Sequence, residues 1–279
     1  MSERIKMEYI IISTLLIGFL WGSFLNVLIH RLPKMSISQM VWNGEPLLYL
    51  FFPLSYCPKC RKDIKFYNNI PVISYLLLRG KSECCKKHIS IFYPLVEVCG
   101  GLIVCFAFTH YDTITQSLFI VAFFSILLVL SVIDFRKYCL PDVLTISLIW
   151  IGLLYNLQFN FDFIKNSIWG AIIGYLALYI IGEFFSSIYK QRAIGGGDLK
   201  LFSALGAWIG WELLPLTYFF ASVIGILLAL TTWWIRNKKR HPNRKKRPLS
   251  RYRFQFGPAL ASAGIILFLW GEQILDFLF

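Results

Sequence analysis

Charge is scarce in this sequence. Asp, Glu, Lys and Arg make up 15% of its 279 residues, against about 25% in a soluble domain. With 57% apolar and 17% aromatic residues and a mean hydropathy of +0.62, that scarcity excludes an ordinary soluble enzyme. Acids are scarcer still, 15 against 28 Lys and Arg, so each carboxylate inside an apolar run needs a reason. A small-residue cleavage site is missing after the first apolar run, Tyr9 to Ile29, and further runs follow it. The run therefore reads as a retained first helix and not as a removed signal. No internal repeat is visible. Cysteine is present but forms a single CxxC, so a regular four-cysteine knuckle cannot be read off directly.

What is present is a series of apolar runs, at about 9–29, 94–111, 115–133, 142–158, 166–188, 200–210, 213–235 and 255–277. Several are near the roughly 20 residues that cross a bilayer core. The run 200–210 is too short to cross as a straight helix, which leaves seven or eight crossings. Charge chooses between them. Ten of the 28 Lys and Arg lie between Arg31 and Lys87, and ten between Arg236 and Arg253. Eight crossings put both clusters on one side, with Asp112, Asp162 and Glu212 on the other, as the positive-inside rule demands. The expected architecture is an all-α polytopic membrane protein of about eight transmembrane helices, both termini outside the cytosol. Its parts are a first helix (1–29), a cytosolic loop or subdomain (30–93) and a membrane core (94–279) containing a basic loop (236–254). That basic loop suits contact with anionic lipid headgroups. Because topology already accounts for the formal charge of +13, no nucleic-acid partner is expected.

Two acids stand at the cytosolic ends of crossings in this arrangement. Asp134 ends the third in LSVIDFRKYCLPD, and Asp198 begins the sixth in AIGGGDLKL. Two carboxylates at one depth can share a proton, leaving one acid and one base to activate water against a peptide carbonyl. Each has a plainer alternative: Asp134 as an interfacial partner of Arg136 or Lys137, and Asp198 as a helix N-cap. Gly195, Gly196 and Gly197 favour the catalytic reading, since backbone without side chains lets a substrate strand approach the carboxylate. Asp142, after Pro141, is expected to be an N-cap. Glu97 either caps its helix or lines the site. Glu183 is unassigned, and Pro258 starts or kinks the last crossing. An ion-coupled transporter using Asp134, Asp198 and Glu183 is the competing class, although acids at one face suit it poorly.

Cys57 and Cys60, in CPKC, are followed by Cys84 and Cys85 in the loop expected to be cytosolic, where disulfides are disfavoured. A structural Zn²⁺ with four ligands fits this pattern. The ligand set is Cys57, Cys60 and Cys85 with His88, or Cys84 in its place; Cys85 and His88 have knuckle spacing. Cys99, Cys105 and Cys139 read as buried thiols.

Several blocks together resemble one family. GSFLNVLIHRLP (Gly22 to Pro33), CPKC, NNIPVISYLLLRGK (Asn68 to Lys81) and ISIFYPLVEV (Ile89 to Val98) come in order. They are followed by VIDFRKYCLPDVLT (Val132 to Thr145), GGGDLKL (Gly195 to Leu201) and FGPALASAG. Their order and spacing over nearly the whole chain are similar to those of the type IV prepilin peptidases, or leader peptidase/N-methyltransferases, of the GxGD aspartyl protease group. The resemblance implies an aspartic endopeptidase of the bacterial inner membrane with its active site facing the cytosol. It matches the catalytic aspartates to Asp134 and Asp198, 64 residues apart, with Gly195, Gly196, Gly197 and Lys200 in support. It implies prepilin and pseudopilin precursors as partners, cut after a Gly at the membrane boundary. It further implies methylation of the new N-terminus from S-adenosylmethionine, with Gly80 and Lys81 at positions tied to methyl transfer. In one place the sequence departs from the pattern: Ser82 stands where the family has the first Cys of a second CxxC.

Overall fold

The computed structural model describes residues 2–34, 57, 59–60, 62–64, 70–190, 194–238 and 255–278. The basic run 239–254 and the first part of the expected cytosolic loop, 35–56, lie outside these residues. The described residues form nine α-helices and no β-strand: α1 (Ser2–Arg31), α2 (Ile73–Leu77), α3 (Phe92–His110), α4 (Ile114–Lys137), α5 (Asp142–Phe159), α6 (Ile164–Tyr189), α7 (Gly196–Ile209), α8 (Leu214–Lys238) and α9 (Gly257–Leu278). Seven of them are long and apolar enough to cross a membrane: α1, α3, α4, α5, α6, α8 and α9. The chain is a multi-pass membrane protein. All eight expected apolar runs became helices, but the sixth, α7, has 14 residues. That is about 21 Å of helix, short of a hydrocarbon core of about 30 Å.

The chain forms two compact units, Met1–Val129 and Leu130–Phe279. In the first, α1 and α3 meet backbone to backbone. A Cβ on Gly18 would lie 2.6 Å from Gly101 Cα, and one on Gly22 would lie 2.6 Å from Glu97 Cα. Small residues at such a crossing let two membrane helices gain dispersion contacts that lipid would otherwise supply. Trp21 Nε1 donates to Ser125 Oγ at 2.8 Å, tying α1 to α4, and Ser117 Oγ donates to the Ala107 carbonyl at 3.1 Å, tying α4 to α3. Beyond the membrane helices, Ser82 N and Ile89 N donate to the Lys87 and Gly80 carbonyls, closing a tight hairpin between Gly80 and Ile89.

The second unit is organised around α7. Residues Leu201 to Ile209 are all buried, between α5, α6 and α9. Against α6 the approach is extreme: a Cβ on Gly206 would lie 2.1 Å from the Gly170 carbonyl oxygen. Against α5, Trp208 Nε1 donates to the Leu148 carbonyl at 3.0 Å and Asn156 Nδ2 to the Ala207 carbonyl at 3.0 Å. Ser203 Oγ donates to the Ala171 carbonyl of α6 at 2.7 Å. These side-chain bonds satisfy polar groups that hydrocarbon would penalise. A helix too short to cross alone is thus enclosed by longer ones. Its two ends are set by glycine: Gly195 at the start, and Gly210 at φ 79 at the end.

Candidate active site

Asp134 lies in the last turn of α4 and is buried. Its Oδ2 accepts a hydrogen bond of 3.0 Å from the backbone N–H of Gly257, the first residue of α9. A side chain at that position would not fit, because a Cβ on Gly257 would lie 2.7 Å from Asp134 Oδ2. Gln255 Nε2 adds a bond of 3.0 Å to the Phe135 carbonyl. The start of α9 is therefore clamped to the end of α4 around this carboxylate. Gly257 was not foreseen as part of the site. Its signal was there in FGP, a glycine followed by a proline in the first turn of a helix.

Asp198 lies in the first turn of α7 but does not cap it. Gly195 is the N-cap, and its carbonyl accepts from Asp198 N at 3.1 Å and Leu199 N at 3.4 Å. The Asp198 side chain folds back instead, so that a Cβ on Gly195 would lie 3.1 Å from Oδ2. Burial pushes the Asp198 carboxyl up to about 7; the nearby Asp134 charge adds to this, and a Gly195 backbone hydrogen bond opposes it. The two aspartates thus sense each other electrostatically, as a proton-sharing pair must. The three glycines differ in what they leave room for. Gly197 is pressed against Leu140, with 2.7 Å between a built Cβ and Leu140 Cβ, whereas Gly196 has open space around its missing side chain. The free approach is therefore beside Asp198.

Lys200 points elsewhere. Its Nζ pairs with Asp142 Oδ1 at 2.7 Å, linking the first turns of α7 and α5. This corrects the expectation for Asp142, since the N-cap of α5 is Pro141. Glu97 is no cap of α3 either: its Oε2 accepts a 2.8 Å hydrogen bond from the N–H of Val72, the N-cap residue before α2. Glu183 is exposed on α6.

The cysteine loop brings together Cys57, Cys60, Cys84 and Cys85, with all four sulfurs within 4.8 Å of one another. Cys57 and Cys85 sulfurs are 3.9 Å apart, and those of Cys60 and Cys84 are 3.0 Å apart. A tetrahedral zinc with bonds of about 2.3 Å to sulfur needs separations of about 3.8 Å, which Cys57 and Cys85 match, while Cys60 and Cys84 would part by about 0.8 Å to admit the ion. His88, the first choice for the fourth ligand, is not in the cluster. It is exposed, bridged to Lys81 in the hairpin, and its carbonyl accepts from Lys59 Nζ at 3.2 Å. The vicinal Cys84 and Cys85 both reach inward because the hairpin turns tightly, with Lys86 at φ 55. Ser82 Oγ sits 3.0 Å from the Cys84 sulfur, at the edge of the cluster. Gly80, at φ 68, is packed beneath the Tyr75 ring, 3.1 Å from its hydroxyl to a built Cβ.

The family model for the bacterial peptidase A24 N-terminal domain matches residues 16–111, and that for the type IV leader peptidase family matches residues 121–230. The chain is 39% identical over 277 residues to the prepilin leader peptidase/N-methyltransferase of Stutzerimonas stutzeri, covering 95% of this chain and 92% of that protein. It is 37% identical over 277 residues to the protein of the same name in Pseudomonas aeruginosa, covering 95% and 91%. For that of Neisseria gonorrhoeae the identity is 35% over 272 residues, covering 92% and 90%. No solved structure matches. The first matched model ends before α4 and the second runs through the helices that carry Asp134 and Asp198, so similarity spans both the cysteine hairpin and the aspartate pair: the chain belongs to the type IV leader peptidase family.

Proposed function

We propose that this protein is a bifunctional prepilin leader peptidase and N-methyltransferase in which Asp134 and Asp198 cut the leader. The observation that carries the reading is the buried Asp134 carboxylate held at 3.0 Å by the Gly257 N–H, with its charge, after burial, helping to keep the Asp198 carboxyl protonated. Asp198, near its midpoint at neutral pH, keeps the shared proton. Asp134 Oδ2 is fixed by Gly257, and its charge serves as the base. Asp134 takes a proton from water, the hydroxide adds to the scissile carbonyl, and Asp198 gives its proton toward the carbonyl oxygen. Collapse of the tetrahedral species expels the new amino terminus with a proton. The open space at Gly196 admits the extended substrate backbone, and Lys200 holds the turn through Asp142.

The substrates are type IV pilin or type II pseudopilin precursors, whose basic leaders meet the enzyme at the cytosolic face of the inner membrane. Support for that orientation comes from the two basic clusters, 31–87 and 236–253, which fall on one side when the short α7, enclosed by longer helices, completes an eighth crossing. The working parts are a first helix at 1–29, a cytosolic loop at 30–93 and a protease core at 94–279 whose basic loop, 236–254, rests near anionic lipid. Cys57, Cys60, Cys84 and Cys85 hold a structural zinc that closes the hairpin bearing Gly80 and Lys81. When bound, S-adenosylmethionine would supply an electrophilic methyl group for the pilin amine, and Gly80 with Lys81, beside Tyr75, would help to hold the donor.

Co-expression with a prepilin tests the aspartates. Asp134→Asn and Asp198→Asn should each reduce leader cleavage by at least about a thousandfold, within the range general acid–base catalysis supplies, with the protein still in the membrane. Normal cleavage in both variants sinks the mechanism.

A further inference from the structure

The α1/α3 pair carries a second concentration of polar chemistry. Asn26 and His30 are four residues apart on α1, and Tyr93 and Glu97 are four apart on α3, so each pair lies on one helix face. Asn26 Nδ2 donates to the Tyr93 carbonyl at 3.0 Å. The Tyr93 hydroxyl and His30 Nε2 are hydrogen-bonded, and their rings stack with centroids 5.1 Å apart. Glu97 Oε2 accepts from Val72 N. Both helices are of membrane-spanning length and composition.

Packing does not require this layer. Further along the same crossing, Gly18 packs directly against the backbone of Gly100 and Gly101. Ionisable side chains in a membrane helix are costly and mark a function by default. The Val72 bond explains one oxygen of Glu97. Among the described residues no hydrogen bond to Oε1 is formed. Glu97, His30 and Tyr93 are all half-buried, within reach of a ligand. What the two facing helices carry is a carboxylate on Glu97, one turn along α3 from a phenol hydrogen-bonded to an imidazole, with Asn26 on the adjoining turn of α1. An alkylammonium group suits such a lining, since it brings hydrogen-bond donors and a positive charge.

We propose that the layer formed by Asn26, His30, Tyr93 and Glu97 seats the α-ammonium group of the newly cut pilin for methyl transfer, with Glu97 as its counter-ion and proton acceptor. This rests on the bifunctional reading above. An α-amine, with a pKa of about 7.7–8.0, is mostly protonated at neutral pH and is no nucleophile in that form. Its proton passes to the Glu97 carboxylate. The freed nitrogen lone pair forms the new N–C bond while the methyl's bond to the donor sulfur breaks, its electron pair staying on sulfur. The sulfonium becomes a thioether and the pilin terminus an N-methylammonium.

The test uses purified full-length protein and a peptide with the mature pilin amino terminus, with no methyl donor present. The wild type should bind the free-amine peptide more tightly than its N-acetylated form. Glu97→Gln keeps an acceptor for Val72 N–H, and so keeps the fold, but loses the charge. It should weaken free-amine binding by about tenfold or more, the worth of a charge-assisted hydrogen bond. Binding of the acetylated peptide should not change. With the donor added, methylation of the pre-cut peptide should fall in parallel, while leader cleavage of an intact prepilin stays normal and reports a folded enzyme. Tyr93→Phe should weaken free-amine binding several-fold. Wild-type binding and methylation in Glu97→Gln would mean that Glu97 only holds Val72, and would overturn the proposal alone. A wild type that leaves every pilin unmethylated overturns the bifunctional reading instead.

Discussion

The two units handle buried carboxylates in opposite ways. In the first, Glu97 is bound to the backbone of Val72, a β-branched residue at φ 58, a conformation that costs of order 1–3 kcal/mol. The carboxylate thereby holds α2 and the segment leading to Gly80. In the second, Asp134 and Asp198 are close enough for the charge of one to bear on the other, and the nearest ammonium group in the sequence, Lys200, is engaged by Asp142. With Lys200 drawn off in this way, its ammonium does not hold Asp198 in the charged form, as the proposed proton sharing requires. One acid is anchored to backbone by one of its oxygens and another lies in the field of a second carboxylate, although all three stand in or beside apolar helices. The difference lies in their partners.

Three experiments break or sharpen that contrast beyond those already described. The largest effect is expected from Gly257→Ala. The added methyl would lie 2.7 Å from Asp134 Oδ2, so either the carboxylate or the start of α9 must move. A displacement of about 1 Å at a catalytic group costs about a hundredfold, and leader cleavage should fall by about that factor. Unchanged cleavage would show that the Gly257 contact does not set the geometry of Asp134.

The second separates the units by metal. Purified protein should contain about one zinc per chain, the occupancy of a closed structural site. Cys57→Ser should lower that content, and so should Cys84→Ser, while His88→Ala should leave it unchanged. Leader cleavage should survive all three, because the aspartate pair belongs to the other unit. Metal-free wild-type protein, or zinc lost with His88, would refute the four-cysteine site.

The smallest effect is graded by pH. Asp198 is protonated below about 7 and ionised above it, so at higher pH both aspartates carry charge and the shared proton is gone. Cleavage should decline on the alkaline side of about 7, approaching tenfold per pH unit. The fold follows the same sign. The native chain binds this proton more tightly than the unfolded chain does, so the associated stability is complete below the ordinary aspartate range and is lost as pH rises through about 7. A flat rate from pH 6 to 9 would show that Asp198 is not the proton holder.

Much of this was legible in the sequence, and the failures have physical reasons. Apolar runs bounded by charge translate directly into membrane helices, because lipid forces every backbone polar group to be satisfied within the segment. The shortness of α7 is where that reasoning thins. A run of 200–210 counted as a crossing is a helix of 14 residues whose length is made good by its neighbours, through Gly206 against Gly170 and Trp208 against Leu148. The cap expected at Asp142 failed because a lysine 58 positions on reached it first. Spacing favoured His88 over Cys84 as the fourth cysteine-loop ligand. The hairpin decided otherwise, its tight turn carrying both vicinal sulfurs inward.

By itself the sequence determined the membrane class, the helix order and the family resemblance and singled out the two aspartates as candidates, since each rests on composition or on short blocks in fixed order. Tertiary structure alone decided which groups surround those residues: Gly257 on Asp134, Asp142 on Lys200, Val72 on Glu97, and Cys84 in the thiol cluster. Each of these contacts joins residues from different helices or from distant parts of a loop. No local pattern encodes such a contact, because it depends on how closely glycine-lined helices approach.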